Sequence, residues 1–191
     1  MASVKIVSLP NPVLRQRSRR VAVVDDPIRQ LAAAMVAETL AWEKERPHEA
    51  GVAMAAVQVG QPIRLIVVRT DPKRSDPDAF ASYINPEIVK TSGEPIVDTE
   101  GCLSVPEFYG AVPRFPLVKV RARTLDGQEV RLTARDFMAR VLQHEIDHTH
   151  GRLFIDRVVD NQFFKLAADG ELTPLDDKTI NQSSILRYRT R

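Results

Sequence analysis

The chain has a single cysteine, Cys102, among its 191 residues. No intrachain disulfide can therefore form, and one unpaired thiol fits a reducing compartment. Long hydrophobic runs are missing as well: nothing approaches the roughly 20 apolar residues that cross a bilayer. The first residues, MASVKIVSLPNPVL, lack the apolar segment of a secretory leader. Excess charge of one sign is also small. Lys and Arg number 27 against 25 Asp and Glu, for a formal net charge of +2, which gives no ground for a nucleic-acid role. There is no internal repeat. These absences describe a soluble, cytoplasmic protein without membrane contact. With 43% hydrophobic and 27% charged residues, it can build one compact domain with a sizeable core.

One stretch dominates what is present: residues 133–151, TARDFMARVLQHEIDHTHG. Thr133 with Asp136 three residues later fits an N-terminal capping pattern, and Gly151 stands where a C-terminal cap belongs. Phe137, Val141, His144 and His148 fall on one helical stripe. Met138 and Leu142 widen the apolar surface, leaving Arg140, Gln143 and Asp147 as the polar remainder. A helix this apolar is expected to be buried. Residues four apart on a helix point the same way, so His144 and His148 can reach one metal ion. Glu145 lies between them, where a carboxylate can take a proton from water. A buried His, Glu and His without a partner would be costly, which favours a metal over a satisfied core. Two histidines still leave the third protein ligand, and the reaction, undecided.

The rest of the chain frames this helix. Residues 1–24 read as extended, with Pro10 and Pro12 breaking any helix. Asp26-Pro27 supplies a cap and a helical first-turn proline. From Ile28 to about Glu45 the apolar residues recur at amphipathic-helix spacing. His48 follows in a polar linker and reads as a surface residue. Gly51 to Gly60 is small-residue-rich with one polar side chain, Gln58, and reads as a tightly packed turn. Leu65 to Val68 suits a buried strand, Asp71 to Asp78 a polar loop, and Tyr83 to Lys90, with Pro86, an irregular or edge segment. A short strand is expected over Pro95 to Thr99. Cys102 follows, between Gly101 and Pro106, where a cysteine alone is most simply a small buried hydrophobe. Leu117 to Thr124 alternates, Asp126-Gly127 turns, and Val130 to Leu132 returns as a hairpin into the histidine helix. Beyond Asn161 no pattern emerges, and the basic tip with Arg187, Arg189 and Arg191 reads as a frayed end.

Three separated motifs now line up: GVAMAAVQ at 51–58, EGCLS at 100–104 and HEIDH at 144–148. In this order the chain closely resembles the peptide deformylases, over roughly residues 5–160. The resemblance implies an α+β fold, with antiparallel sheets packed around a central buried helix carrying HExDH and an N-terminal amphipathic helix. Residues 1–191 would form a single catalytic domain, those from about 161 an extension. It implies one divalent metal held by Cys102, His144 and His148, Fe(II) in the cell, with zinc, nickel or cobalt accepted. Water would attack the formyl group of an N-formyl-methionyl nascent peptide, with Glu145 as general base and then acid. Gln58 and the backbone N–H of Leu103 would meet the oxyanion. Val52, Ala53 and Gly101 would bind the peptide backbone; Val52, Phe137 and Val141 would line the methionine pocket. Glu100, Arg114 and Asp147 would stand behind the ligands, with Arg114 paired to Asp147. The basic tip leaves room for a ribosome contact.

The first motif departs from the family pattern at Ala53, where a glycine is usual. Either a positive φ or a crowded cleft would follow. Two rivals share parts of this reading. A metalloprotease shares HExxH but not EGCLS, and a non-catalytic nascent-chain binder would not need Glu145.

Overall fold

The computed structural model describes residues 3–46, 48–71, 76 and 79–189. Most of the loop expected at Asp71 to Asp78 lies outside the described residues, as does Arg191. The helices are α1 (Asp26–Lys44), α2 (Asp136–Thr149) and the short α3 (Asp177–Gln182). The strands are β1 (Ala53–Ala55), β2 (Leu65–Arg69), β3 (Phe80–Ser92), β4 (Ile96–Cys102), β5 (Val105–Arg114), β6 (Leu117–Arg123), β7 (Glu129–Arg135), β8 (Phe163–Leu166) and β9 (Leu172–Pro174). They form two antiparallel sheets, ordered β1-β2-β3-β6-β7 and β4-β5-β8-β9.

Helix α2 packs on the first sheet through Ala139, Val141, Leu142 and Ile146. On the other side Leu153, Phe154 and Ile155 fill a core with Phe163, Ile180 and Leu186. The helix is thus enclosed, as its composition requires. Its start differs from expectation. Thr133 is no cap: it pairs with Lys119 within the β6-β7 hairpin, and β7 runs on to Arg135. The chain enters the helix without a loop, at Asp136, whose φ of 48° makes the turn. Strand pairing outweighed the capping pattern because Leu132 and Ala134 have partners across the hairpin. At the other end Gly151 adopts φ 73° against the Arg15 carbonyl, where a Cβ would clash.

Three further segments differ from the sequence reading. The α1 cap is Asp25, whose side chain accepts from the Ile28 N–H, one residue earlier than expected. The Pro86 segment is irregular, as expected, but not an edge: β3 is a long strand between β2 and β6. A register shift between Ile84 and Glu87 absorbs the proline, with Asn85 at φ 52°. The C-terminal region is ordered: β8 pairs with β5, and Ile180 and Leu186 are buried. Arg189 is not frayed. It donates to Asn161 at 2.8 Å and lies over the Phe163 ring. No helix among the described residues is long and apolar enough to cross a membrane.

Candidate active site

Three elements bring the three motifs together. Gln58 stands on a single 3-10 turn, Ala56–Val59, directly after β1. Cys102 ends β4 at its tight connection to β5. His144 and His148 share the inward face of α2. The Cys102 Sγ lies 3.3 Å from His148 Nε2, which lies 3.2 Å from His144 Nε2. All three donor atoms are within 4.8 Å of one another. Donors bound about 2.0–2.3 Å from a tetrahedral centre lie about 3.3–3.8 Å apart. The thiol and two imidazole nitrogens therefore fit a single transition-metal ion. A thiolate with two imidazoles is also the donor chemistry that such ions take.

The surroundings act differently on the two histidines. Glu100, buried, has its Oε2 at 2.9 Å from His144 Nδ1. Burial alone would raise the Glu100 pKa, but hydrogen bonds from His144 and Arg114 outweigh it and hold it far below the usual range. Burial opposes charge on His144, yet Cys102 and Glu100 together push its pKa well above the imidazole value. His148 goes the other way: burial first, then the charges of His144 and Arg114, hold its pKa well below. Burial and the neighbouring positive charges thus disfavour a proton on His148. The Nδ1 of His148 is buried and has no hydrogen-bond partner among the described residues.

Behind the ligands lies a buried ion network. Arg114 grips Glu100 with two bonds of 2.8 and 3.0 Å, and Asp147 with one of 2.5 Å. Arg140 adds a bond to Glu100 at 2.8 Å. The expected Arg114–Asp147 pair is present. The polar remainder of the helix stripe, Arg140, Gln143 and Asp147, is buried with it. Gln143 is satisfied by both backbone groups of Phe115.

A cavity of about 250 Å³ opens beside the donors. Val52, Ala53 and Gln58 line one side, Gly101, Cys102 and Leu103 another, and Phe137, Val141, His144 and Glu145 a third. Phe137 lines the cavity while remaining 57% exposed. Glu145 has one carboxylate oxygen, Oε2, that is buried and has no hydrogen-bond partner among the described residues. Burial is the main cause that raises its pKa to about 7. Gln58 is fixed by its Oε1, which accepts from the Ala55 N–H at 2.8 Å. Its Nε2 faces Cys102 Sγ at 3.6 Å and donates to Ser104 Oγ at 3.2 Å. Ala53 lies in regular strand pairing with Val68 and has no positive φ, which removes the backbone objection to an alanine there. His48 is exposed but also reaches the cavity rim.

Several contributors were not singled out from the sequence. Tyr109 of β5 lies across Gly101, where a Cβ would sit 2.5 Å from its ring. It donates to Glu49 at 2.6 Å, tying the linker after α1 to the cavity wall. Ser104 orients Gln58, although EGCLS contains it. Arg157 binds Asp147 from outside the helix.

The model of the polypeptide deformylase family matches residues 3–163. The chain is 44% identical over 174 residues to a peptide deformylase of Thermomicrobium roseum, covering 90% of this chain and 94% of that one. It is 40% identical to one of Mesorhizobium japonicum, over 86% and 93% of the two chains. Among solved structures it resembles the peptide deformylase of Synechococcus elongatus in complex with actinonin, with a TM-score of 0.73, 36% identity and coverage of 82% and 79%. The Thermotoga maritima enzyme gives a TM-score of 0.73 at 32% identity, over 83% and 99% of the two chains.

Proposed function

The chain belongs to the polypeptide deformylase family, and on that premise we propose which of its residues remove the N-formyl group from newly made polypeptides. The reading rests on one observation: Cys102 and His144 of a Cys, His, His donor set border the same cavity as a Glu145 carboxylate, one of whose oxygens has no partner among the described residues. Cys102, His144 and His148 hold one divalent metal, Fe(II) in the cell, with zinc, nickel or cobalt able to take the same donors. When bound, the metal acidifies water and polarises the formyl carbonyl.

Glu145 takes a proton from a water in the cavity as that water's oxygen attacks the formyl carbon. Charge gathers on the formyl oxygen. The Gln58 amide and the Leu103 backbone N–H donate to it. The carbon–nitrogen bond then breaks, and Glu145 passes its proton to the departing amine. Formate and a free N-terminal methionine remain. Val52, Ala53 and Gly101 hold the peptide backbone, and Val52, Val141 and Phe137 hold the methionine side chain. Residues 1–191 act as one catalytic domain in the cytoplasm, on nascent chains emerging at the ribosome.

The test is formate release from a formyl-Met peptide by anaerobically purified protein, with metal analysis. Wild type releases formate, and Glu145→Ala keeps the metal but does not turn over. Internal peptide cleavage without formate would instead make the protein a metalloprotease. Metal-loaded wild type without either activity would make it a nascent-chain binder.

A further inference from the structure

The segment after α2 touches the ligand helix twice. Leu153 to Arg157 follows the Gly151 turn as a short 3-10 helix, Phe154–Asp156. Phe154 stacks on the His144 ring, with centroids 6.3 Å apart and planes inclined by 16°. Arg157 then closes on Asp147, one residue before His148, with Nε at 2.5 Å from Oδ2 and Nη2 at 2.6 Å from Oδ1. This is a two-pronged guanidinium–carboxylate pair, the geometry in which arginine differs from lysine.

Asp147 Oδ2 is shared with Arg114, which holds Glu100, whose Oε2 also meets His144 Nδ1. An unbroken chain of side chains therefore runs Arg157, Asp147, Arg114, Glu100, His144, each link 3.0 Å or shorter. Arg157 is its outer end. Its side chain is 36% exposed, while that of Asp147 is 11% exposed. Arg157 supplies a second cation to a carboxylate that Arg114 alone meets with a single bond. Its backbone is held too, since its N–H donates to the Phe154 carbonyl at 2.8 Å.

We propose that Arg157 is a positioning residue for the metal centre, clamping Asp147 and through it the orientation of Arg114, Glu100 and the ligand His144. The inference rests on the metal assignment above. Ligand-orienting partners of this kind change metal affinity by roughly 10–100-fold when removed. A surface ion pair would change it not at all.

The experiment loads full-length protein with Co(II) and follows its visible absorption during release to an excess of chelator. Arg157→Gln is expected to release Co(II) roughly tenfold faster, and Arg157→Lys, which keeps charge but loses the fork, to fall between. Arg121→Gln, which removes an exposed pair with Glu87, serves as the unchanged control. Melting of the metal-free proteins is measured alongside. Release by Arg157→Gln within about twofold of wild type overturns the proposal. So does equal loss of melting temperature and of Co(II) in both Arg157 variants, which assigns the residue to general stability. Wild type that takes up no Co(II) with the spectrum of a thiolate site refutes the metal assignment itself, a separate failure.

Discussion

The Glu100 carboxylate and the His144 imidazole meet at 2.9 Å between Oε2 and Nδ1, leaving His144 Nε2 turned toward Cys102 and His148. Glu100 fixes which nitrogen is free to ligate, and it does so while bound to both Arg114 and Arg140. Glu100→Gln is therefore expected to act twice. Metal affinity falls roughly 10–100-fold, read by chelator competition. Stability falls by about 3–5 kcal/mol, read by urea unfolding, because two buried guanidinium groups lose their carboxylate.

Tyr109→Phe removes the bond to Glu49 and keeps the ring over Gly101. Losing one hydrogen bond costs about 1 kcal/mol, or about fivefold in an equilibrium constant. We expect KM for a formyl-Met tripeptide to rise by about that factor, with kcat and metal content unchanged. An unchanged KM would show that the linker wall does not define the cleft.

Ala53 offers two opposed effects in one substitution. It is a regular strand residue paired with Val68, so Ala53→Gly costs about 0.5–1 kcal/mol of stability through backbone entropy. Its methyl also borders the cavity, so the same variant is expected to raise kcat/KM on a formyl-Met peptide. Thermal melting and steady-state kinetics read the two separately. A kcat/KM that stays level or falls removes the crowding argument.

Leu186 is fully buried in the core that also holds Phe154 and Phe163. Leu186→Ala is expected to cost about 2–5 kcal/mol, measured by chemical denaturation. A cost near zero would mean that the C-terminal region does not support the Phe154 side of the metal helix.

Periodic elements were legible because their signal is local. The amphipathic α1, the hairpin at Asp126-Gly127 and the C-terminal end of α2 at Gly151 each depend on residues a few positions apart. Errors came where a distant partner decided. Thr133 carries a good capping pattern, but Lys119 across the hairpin holds it in a strand. Pro86 breaks ideal pairing, yet β2 and β6 flank β3 and a bulge accommodates it. The region after Asn161 lacks periodicity because its buried residues, Phe163, Ile180 and Leu186, are widely spaced and point into one shared core.

The sequence by itself determined the chemistry on offer: two imidazoles on one helical face, a glutamate between them, one thiol and one isolated glutamine. Those assignments need only the 3.6-residue turn and the residue types. Tertiary structure decided that Cys102 and Gln58 meet the histidines, since β4, the turn after β1 and α2 converge only when two sheets close around the helix. It also decided how the ligands are held. The Arg157, Asp147, Arg114 and Glu100 chain joins residues from two strands, a helix and a 3-10 segment, and no spacing along the chain encodes that contact. Local geometry is written in neighbouring residues, whereas convergence depends on strand register and burial, which the whole fold sets at once.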